Sequence, residues 1–138
     1  MGEMLSLKQL NLPVKVFVFN NEELSFIAME MKASGYLDYA TDFVNPDFGK
    51  LAEAAGIKGV SIQNSSEVDE KIMEALNHNG PVIVNVRVDK QELAMPPKIA
   101  YQQAKGFSKY LINAILDGRG TELKEMAKTN WMKYKSLY

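Results

Sequence analysis

Short Val- and Ile-rich runs alternate along this chain with stretches in which apolar residues recur every three or four positions, the two periods of strand and helix. Residues 1 to 10 carry Met4, Leu7 and Leu10 at helix spacing. The break falls at Asn11-Leu12-Pro13, because proline disfavours helical geometry in the residue before it. Val14 to Phe19 is dense in Val and Phe and runs into two asparagines, as a buried strand with a turn at its carboxyl end would. Glu22 to Lys32 reads as a second helix closed by Gly35, and Tyr36 to Pro46 as an irregular, aromatic-rich connection. Asp47 caps a helix running through Leu51, Ala52 and Ala55 to Gly56. Gly59 to Gln63 is a short strand, Ser65 or Ser66 caps a helix bearing Val68, Ile72, Met73 and Leu76, and His78-Asn79-Gly80 ends it. Pro81 to Val88 is the clearest strand in the chain. Beyond the rigid connection Met95-Pro96-Pro97, Tyr101 to Leu116 and Thr121 to Tyr138 read as two helices separated by the turn Asp117-Gly118-Arg119-Gly120.

Helices alternating with such strands predict an α/β fold: three layers, α/β/α, around a short parallel sheet built from right-handed crossovers, with a two-helix carboxyl tail. At 138 residues and 46% hydrophobic content the chain is long enough for one domain with a core. Sixteen Lys and Arg against seventeen Asp and Glu give a formal net charge of −1, so no global electrostatic footprint points to nucleic acid. The absence of cysteine excludes disulfides and thiolate metal sites and is compatible with a cytoplasmic setting. No apolar run reaches the length of a membrane span, so the chain is expected to be soluble, or at most peripheral to a membrane.

Ligands of open α/β sheets sit beyond the carboxyl ends of the strands, which draws attention to Asn20 and Asn21. Two readings stand side by side. In one, Asn20 caps the following helix and Glu23 completes a capping box, with Glu22 near the positive end of the helix dipole; spacing alone favours it. In the other, an asparagine amide oxygen and a nearby main-chain carbonyl are hard oxygen ligands suited to Mg²⁺. His78, the only histidine, is expected at an exposed helix end, and two glycines in Asp117-Gly118-Arg119-Gly120 do not make a phosphate loop. In the tail, Leu123, Met126, Ala127, Asn130, Trp131, Tyr134 and Leu137 recur at helical spacing while Lys124, Lys128, Lys133 and Lys135 lie mainly on other faces. That stripe suits a helix lying in a membrane surface and equally a terminal helix packed on its own domain or on a neighbouring subunit.

Several separated segments together carry a family resemblance: Phe19-Asn20-Asn21, Glu30-Met31-Lys32, Pro81 to Val86, Glu92 to Pro97, Gln103 to Ser108 and Ala127 to Trp131. In order and spacing they resemble the carboxyl-terminal part of the bacterial pyruvate oxidases, the pyruvate dehydrogenases (quinone). The resemblance implies thiamine diphosphate and Mg²⁺ as cofactors, with FAD in the full-length enzyme only. It implies that 1–98 is part of a thiamine-diphosphate-binding domain and 99–138 the helical tail of that domain. In the family the cofactor motif opens with Gly-Asp-Gly and closes with Asn-Asn. Carried over, Asn21 gives Mg²⁺ its side chain, Glu23 gives its main-chain oxygen, and Leu24 and Ser25 lie against the cofactor. The Gly-Asp-Gly half is expected ahead of Met1, and Ser25 stands where the family usually has glycine.

The same resemblance places Phe26 and Glu30 beside substrate and the reactive carbon of the cofactor, with Glu30 handling protons if a closed site desolvates it. It implies pyruvate and quinone as partners of the full-length enzyme and a homo-oligomer. It also implies a location in the cytoplasm, peripheral at the inner membrane, with anionic lipid contacted through Leu123, Met126, Lys128 and Trp131. The isolated chain is expected to bind cofactor poorly, to self-associate and not to turn over pyruvate. Two alternatives remain: a non-catalytic module for membrane attachment or oligomer assembly, and a fragment of a related enzyme of the acetolactate synthase kind.

Overall fold

The computed structural model describes residues 2–90 and 100–136, with side chains described as far as 132. Met95-Pro96-Pro97 and Leu137 lie outside the described residues, and Tyr134 outside the described side chains. By its contacts the chain divides into two compact units, residues 1–21 with 44–88 and residues 22–43 with 89–138.

In the first unit three parallel strands, β1 (Lys15–Asn20), β2 (Lys58–Ile62) and β3 (Val82–Arg87), stand in the order β1-β3-β2. Lys15 pairs with Val82 through to Asn20 with Arg87, and Lys58 with Val82 through to Ile62 with Val86. Side chains alternate along each strand, so the sheet presents two apolar faces. On one, Val60, Ile62, Val82 and Val84 meet Ala75 of α4 (Val68–Asn77), with Phe17, Val68 and Ile72 against them. On the other, Ile83, Val16 and Val18 meet Ala52 of α3 (Phe48–Ala54) and Met4 and Leu7 of α1 (Gly2–Gln9). This is the expected three-layer α/β arrangement.

The local signals act as anticipated at α3: the Asp47 carboxylate accepts from the Gly49 and Lys50 N–H groups at 2.9 and 3.2 Å, and Gly56 ends the helix at φ 73°. Asp47 also accepts from the Ser61 hydroxyl of β2, which holds its carboxyl below the usual range. Helix α3 lies so close to β2 that a Cβ on Gly59 would overlap the Gly49 carbonyl. The start of α4 differs from expectation. A 3₁₀ turn, Ser65–Glu67, precedes it, and Glu67 rather than a serine holds the entry by accepting from the Gln63 and Asn64 N–H groups at 3.2 and 3.4 Å. A carboxylate that can take two main-chain donors outcompetes a hydroxyl that takes one. His78 is exposed, as expected, and its carbonyl accepts from Lys15 Nζ at 2.8 Å.

The second unit holds α2 (Ser25–Ala33), α5 (Tyr101–Leu116) and α6 (Gly120–Ser136). Helix α2 ends as its glycine predicts: Gly35 sits at φ 85°, the Tyr36 N–H reaches the Met31 carbonyl and the Gly35 N–H the Lys32 carbonyl. Gly106 lets α5 pass this end closely, since a Cβ there would overlap the Ala33 carbonyl. The unit's core is Tyr110, Ala114 and Met126, with Leu37, Phe107, Leu111 and Leu123 around them.

Candidate cofactor site

Asn20 is the last residue of β1 and only 7% exposed. It does not cap α2. The helix starts at Ser25, three residues later than the sequence suggests, with Leu24 at the cap position and no side-chain cap bond. The capping box of Asn20 and Glu23 is therefore overturned, and the cause lies in the residues between. Glu22 takes a left-handed conformation at φ 56°, which costs a side-chain-bearing residue about 1–2 kcal/mol and turns the chain out of any helical path. Glu23 then forms an antiparallel bridge with Asp42: the Leu24 N–H donates to the Thr41 carbonyl and the Phe43 N–H to the Glu22 carbonyl, both at 2.8 Å. In such a pair the main-chain groups of the bridged residue itself point to the opposite side of the ribbon. The Glu23 carbonyl thus faces away from residues 41–43.

Within the first unit, the Asn20 Oδ1 accepts from Asn45 Nδ2 at 2.9 Å, and its carbonyl accepts from the Val88 N–H at 3.1 Å. Asn21, next in the chain, is half-buried. Asn85, on β3 opposite Val18 and Ser61, is 3% exposed and its Oδ1 has no hydrogen-bond partner among the described residues.

In the second unit, burial raises the Glu23 carboxyl above its ordinary range; Lys32 and Lys90 oppose that shift while Asp38 and Asp42 reinforce it. Lys90 pairs with Asp42 at 3.0 Å. Ser25 is half-buried in the first turn of α2. Phe26 is 73% exposed and Glu30 is also exposed, four residues apart on the face opposite the buried Ala28 and Lys32. The closed setting that would desolvate Glu30 is not made by this chain's described residues.

Sequence reading missed Lys32. Its ammonium, with the side chain 5% exposed, lies 3.5 Å from Glu122, 3.9 Å from Asp38 and 5.6 Å from the centre of the Tyr110 ring. Arg119 closes the network at 3.0 Å from Asp38 and 3.8 Å from Glu122. Burial and the Glu122 and Asp38 carboxylates push the Tyr110 phenol well above its usual range. Farther along α6, Leu123 and Met126 pack on α5, whereas Lys128 is exposed and Trp131 is 63% exposed. No helix among the described residues is long and apolar enough to cross a membrane, and no three acidic or imidazole side chains among them gather as a metal site.

Residues 1–86 match the family profile described as thiamine pyrophosphate enzyme, C-terminal TPP binding domain. The chain belongs to this family. Thiamine pyrophosphate enzymes are also what its curated relatives indicate. "Putative thiamine pyrophosphate-containing protein YdaP" of Bacillus subtilis is 36% identical over 118 residues, 86% of this chain and 20% of that protein. The mitochondrial acetolactate synthase catalytic subunit of Saccharomyces cerevisiae is 38% identical over 95 residues, 68% of this chain and 14% of its own length. The acetolactate synthase large subunit of Pyropia yezoensis is 31% identical over 99 residues, 70% and 17%. The chain spans about a fifth or less of the length of these relatives. The family shown is that of the thiamine pyrophosphate enzymes as a group, and these matches do not single out the pyruvate oxidases expected from the sequence.

The residues present fit the cofactor's metal in kind. Asn21 offers a neutral amide oxygen and Glu23 a carbonyl turned away from its ribbon, both hard donors of the sort Mg²⁺ takes alongside phosphate oxygens. The division between the two units falls between these two residues, after Asn21.

Proposed function

We propose that this chain supplies the asparagine-bearing half of a Mg²⁺ and thiamine pyrophosphate site in an enzyme that decarboxylates pyruvate. The observation that carries this reading is the segment Asn20 to Glu23. Asn20 ends the parallel edge strand β1 with Asn21 directly after it, and a left-handed Glu22 and a two-bond ribbon turn the Glu23 carbonyl away from residues 41–43. Asn21 Oδ1 and the Glu23 carbonyl hold Mg²⁺, and Leu24 and Ser25 border the pyrophosphate. When bound, the cofactor supplies a carbanion and an electron sink, and the protein supplies placement. Phe26 and Glu30 project from one face of α2 toward substrate, Glu30 managing protons at the pyruvate carboxylate once other parts of the enzyme cover it.

For the fate of the two-carbon unit we favour oxidation: pyruvate, water and a quinone give acetate, carbon dioxide and quinol, with FAD carried elsewhere in the enzyme. Support comes from the resemblance of residues 103–108 and 127–131 to the quinone-reducing oxidases. In this reading the enzyme is a homo-oligomer in the cytoplasm, and α6 meets anionic lipid through Trp131 and Lys128 at the inner membrane. Leu123 and Met126, packed on α5, reach lipid only if α6 leaves it. The names of the relatives favour a second reading, in which two pyruvates give acetolactate and one carbon dioxide. The full-length enzyme carrying this segment, supplied with pyruvate, Mg²⁺ and thiamine pyrophosphate, separates the two. Quinone-dependent acetate without acetolactate is expected; acetolactate formed without any quinone overturns the oxidative reading.

A further inference from the structure

The structure gives the first asparagine of the pair a task of its own. We propose that Asn45 is a positioning residue for the metal ligand Asn21 and acts through Asn20; this rests on the reading of Asn21 as a Mg²⁺ ligand. Asn20 is held through its side-chain oxygen by the Asn45 amide at 2.9 Å and through its carbonyl by the Val88 N–H at 3.1 Å. That carbonyl belongs to the peptide joining Asn20 to Asn21. Holding it, together with the side chain one residue back, fixes the peptide plane and hence the direction in which the Asn21 side chain leaves the backbone.

Asn45 is suited to the task on two grounds. Pro46 restricts it to extended geometry, and Asp47 immediately beyond is tied to the first turn of α3 and to Ser61 of β2, so the donor is held before any ligand arrives. With Asn20 so deeply buried, loss of the Asn45 donor leaves its amide oxygen one hydrogen bond short, and a turn of the Asn20 side chain to recover one drags the strand end with it. Partners that orient a ligand without touching the metal commonly change affinity by about 10–100-fold.

The test titrates Mn²⁺, which accepts the same oxygen donors, into the full-length enzyme carrying this segment in the presence of thiamine pyrophosphate, and reads bound Mn²⁺ by electron paramagnetic resonance. Asn21→Ala should weaken Mn²⁺ binding outright. Asn45→Ala should require roughly ten times more Mn²⁺ for the same occupancy while the fold, followed by circular dichroism, is retained. Asn20→Ala with Asn45→Ala should be no weaker than Asn20→Ala alone, because Asn45 acts through Asn20. Unchanged Mn²⁺ affinity in folded Asn45→Ala overturns the positioning role and leaves Asn21 as a ligand. Unchanged affinity in folded Asn21→Ala removes the ligand reading and this proposal with it. Should Asn45→Ala not fold, Asn45→Leu, which keeps the size and removes the donor, takes its place; affinity equal to that of the intact enzyme then overturns the proposal.

Discussion

Replacing Lys32 by methionine removes a buried ammonium but keeps most of the apolar stem. In the intact second unit two cations, Lys32 and Arg119, face two carboxylates, Asp38 and Glu122; the Asp38 side chain is 11% exposed and that of Glu122 23%. Lys32→Met leaves two carboxylates sharing one guanidinium. Breaking a buried pair by removing one partner costs about 3–5 kcal/mol when the survivor is stranded. Here Arg119 stays 3.0 Å from Asp38, and Glu122 retains some water, so we expect about 2–3 kcal/mol. Lys58→Met is the control, since Lys58 pairs with Glu74 at 2.6 Å on an exposed surface and should cost less than about 1 kcal/mol. Urea titration is followed through amide resonances of α5 for Lys32→Met and of β2 for Lys58→Met, each in the unit that carries the substitution, and a lower midpoint at unchanged slope is expected for Lys32→Met. The pairing with Glu122 makes a sharper demand: adding Glu122→Gln to Lys32→Met should restore part of the loss by removing the uncompensated charge. A midpoint shift no larger than that of Lys58→Met, or a double variant as weak as the sum of the singles, refutes the reasoning.

Gly106→Ala and Gly59→Ala each place a methyl against a main-chain carbonyl, of Ala33 and Gly49 respectively, and each should cost about 1–3 kcal/mol or more in thermal or urea unfolding; unchanged midpoints would contradict the close approaches. The Glu67 carboxyl should titrate at about 2 instead of the ordinary 4.5, chiefly through the Gln63 N–H and then Lys71 and Asn64. Because the folded value is depressed, its stabilisation is present above pH 4.5 and lost as pH falls toward about 2; a carboxyl NMR titration checks the value, and Glu67→Gln should flatten the acid limb of the stability curve. On anionic vesicles at low salt Trp131 fluorescence should shift to the blue and the chain co-sediment, with a form ending at Gly120 left in solution; equal sedimentation of both forms removes α6 as the lipid contact.

Much of the fold could be read without coordinates because the relevant physics is local. The run Pro81 to Val88 became β3, the Tyr101 to Leu116 periodicity became α5 with the same bounds, and Asp47, Gly35 and Gly56 capped or ended helices where their chemistry required. Each depends on groups within a few residues. The start of α2 failed for the opposite reason. Glu22 to Leu24 has good helical residues, but its backbone hydrogen bonds go to residues 41 and 43, and no pattern near Glu23 announces that partner. Asn45 was hidden similarly: Asn-Pro reads as a turn, and only the fold carries it to the end of β1.

By itself the sequence determined the element types, the parallel α/β class and the Asn-Asn segment at a strand end, since apolar period, caps and glycine stops act through neighbours along the chain. The tertiary structure alone decided the strand order β1-β3-β2, the inward turn of Lys32 to meet Asp38 and Glu122, and the use of Leu123 and Met126 as core while Trp131 stays outside. Those outcomes depend on which surfaces meet. A helix pattern shows that a stripe will be covered, but the covering partner is chosen by packing and charge between segments up to ninety residues apart, as Lys32 and Glu122 are.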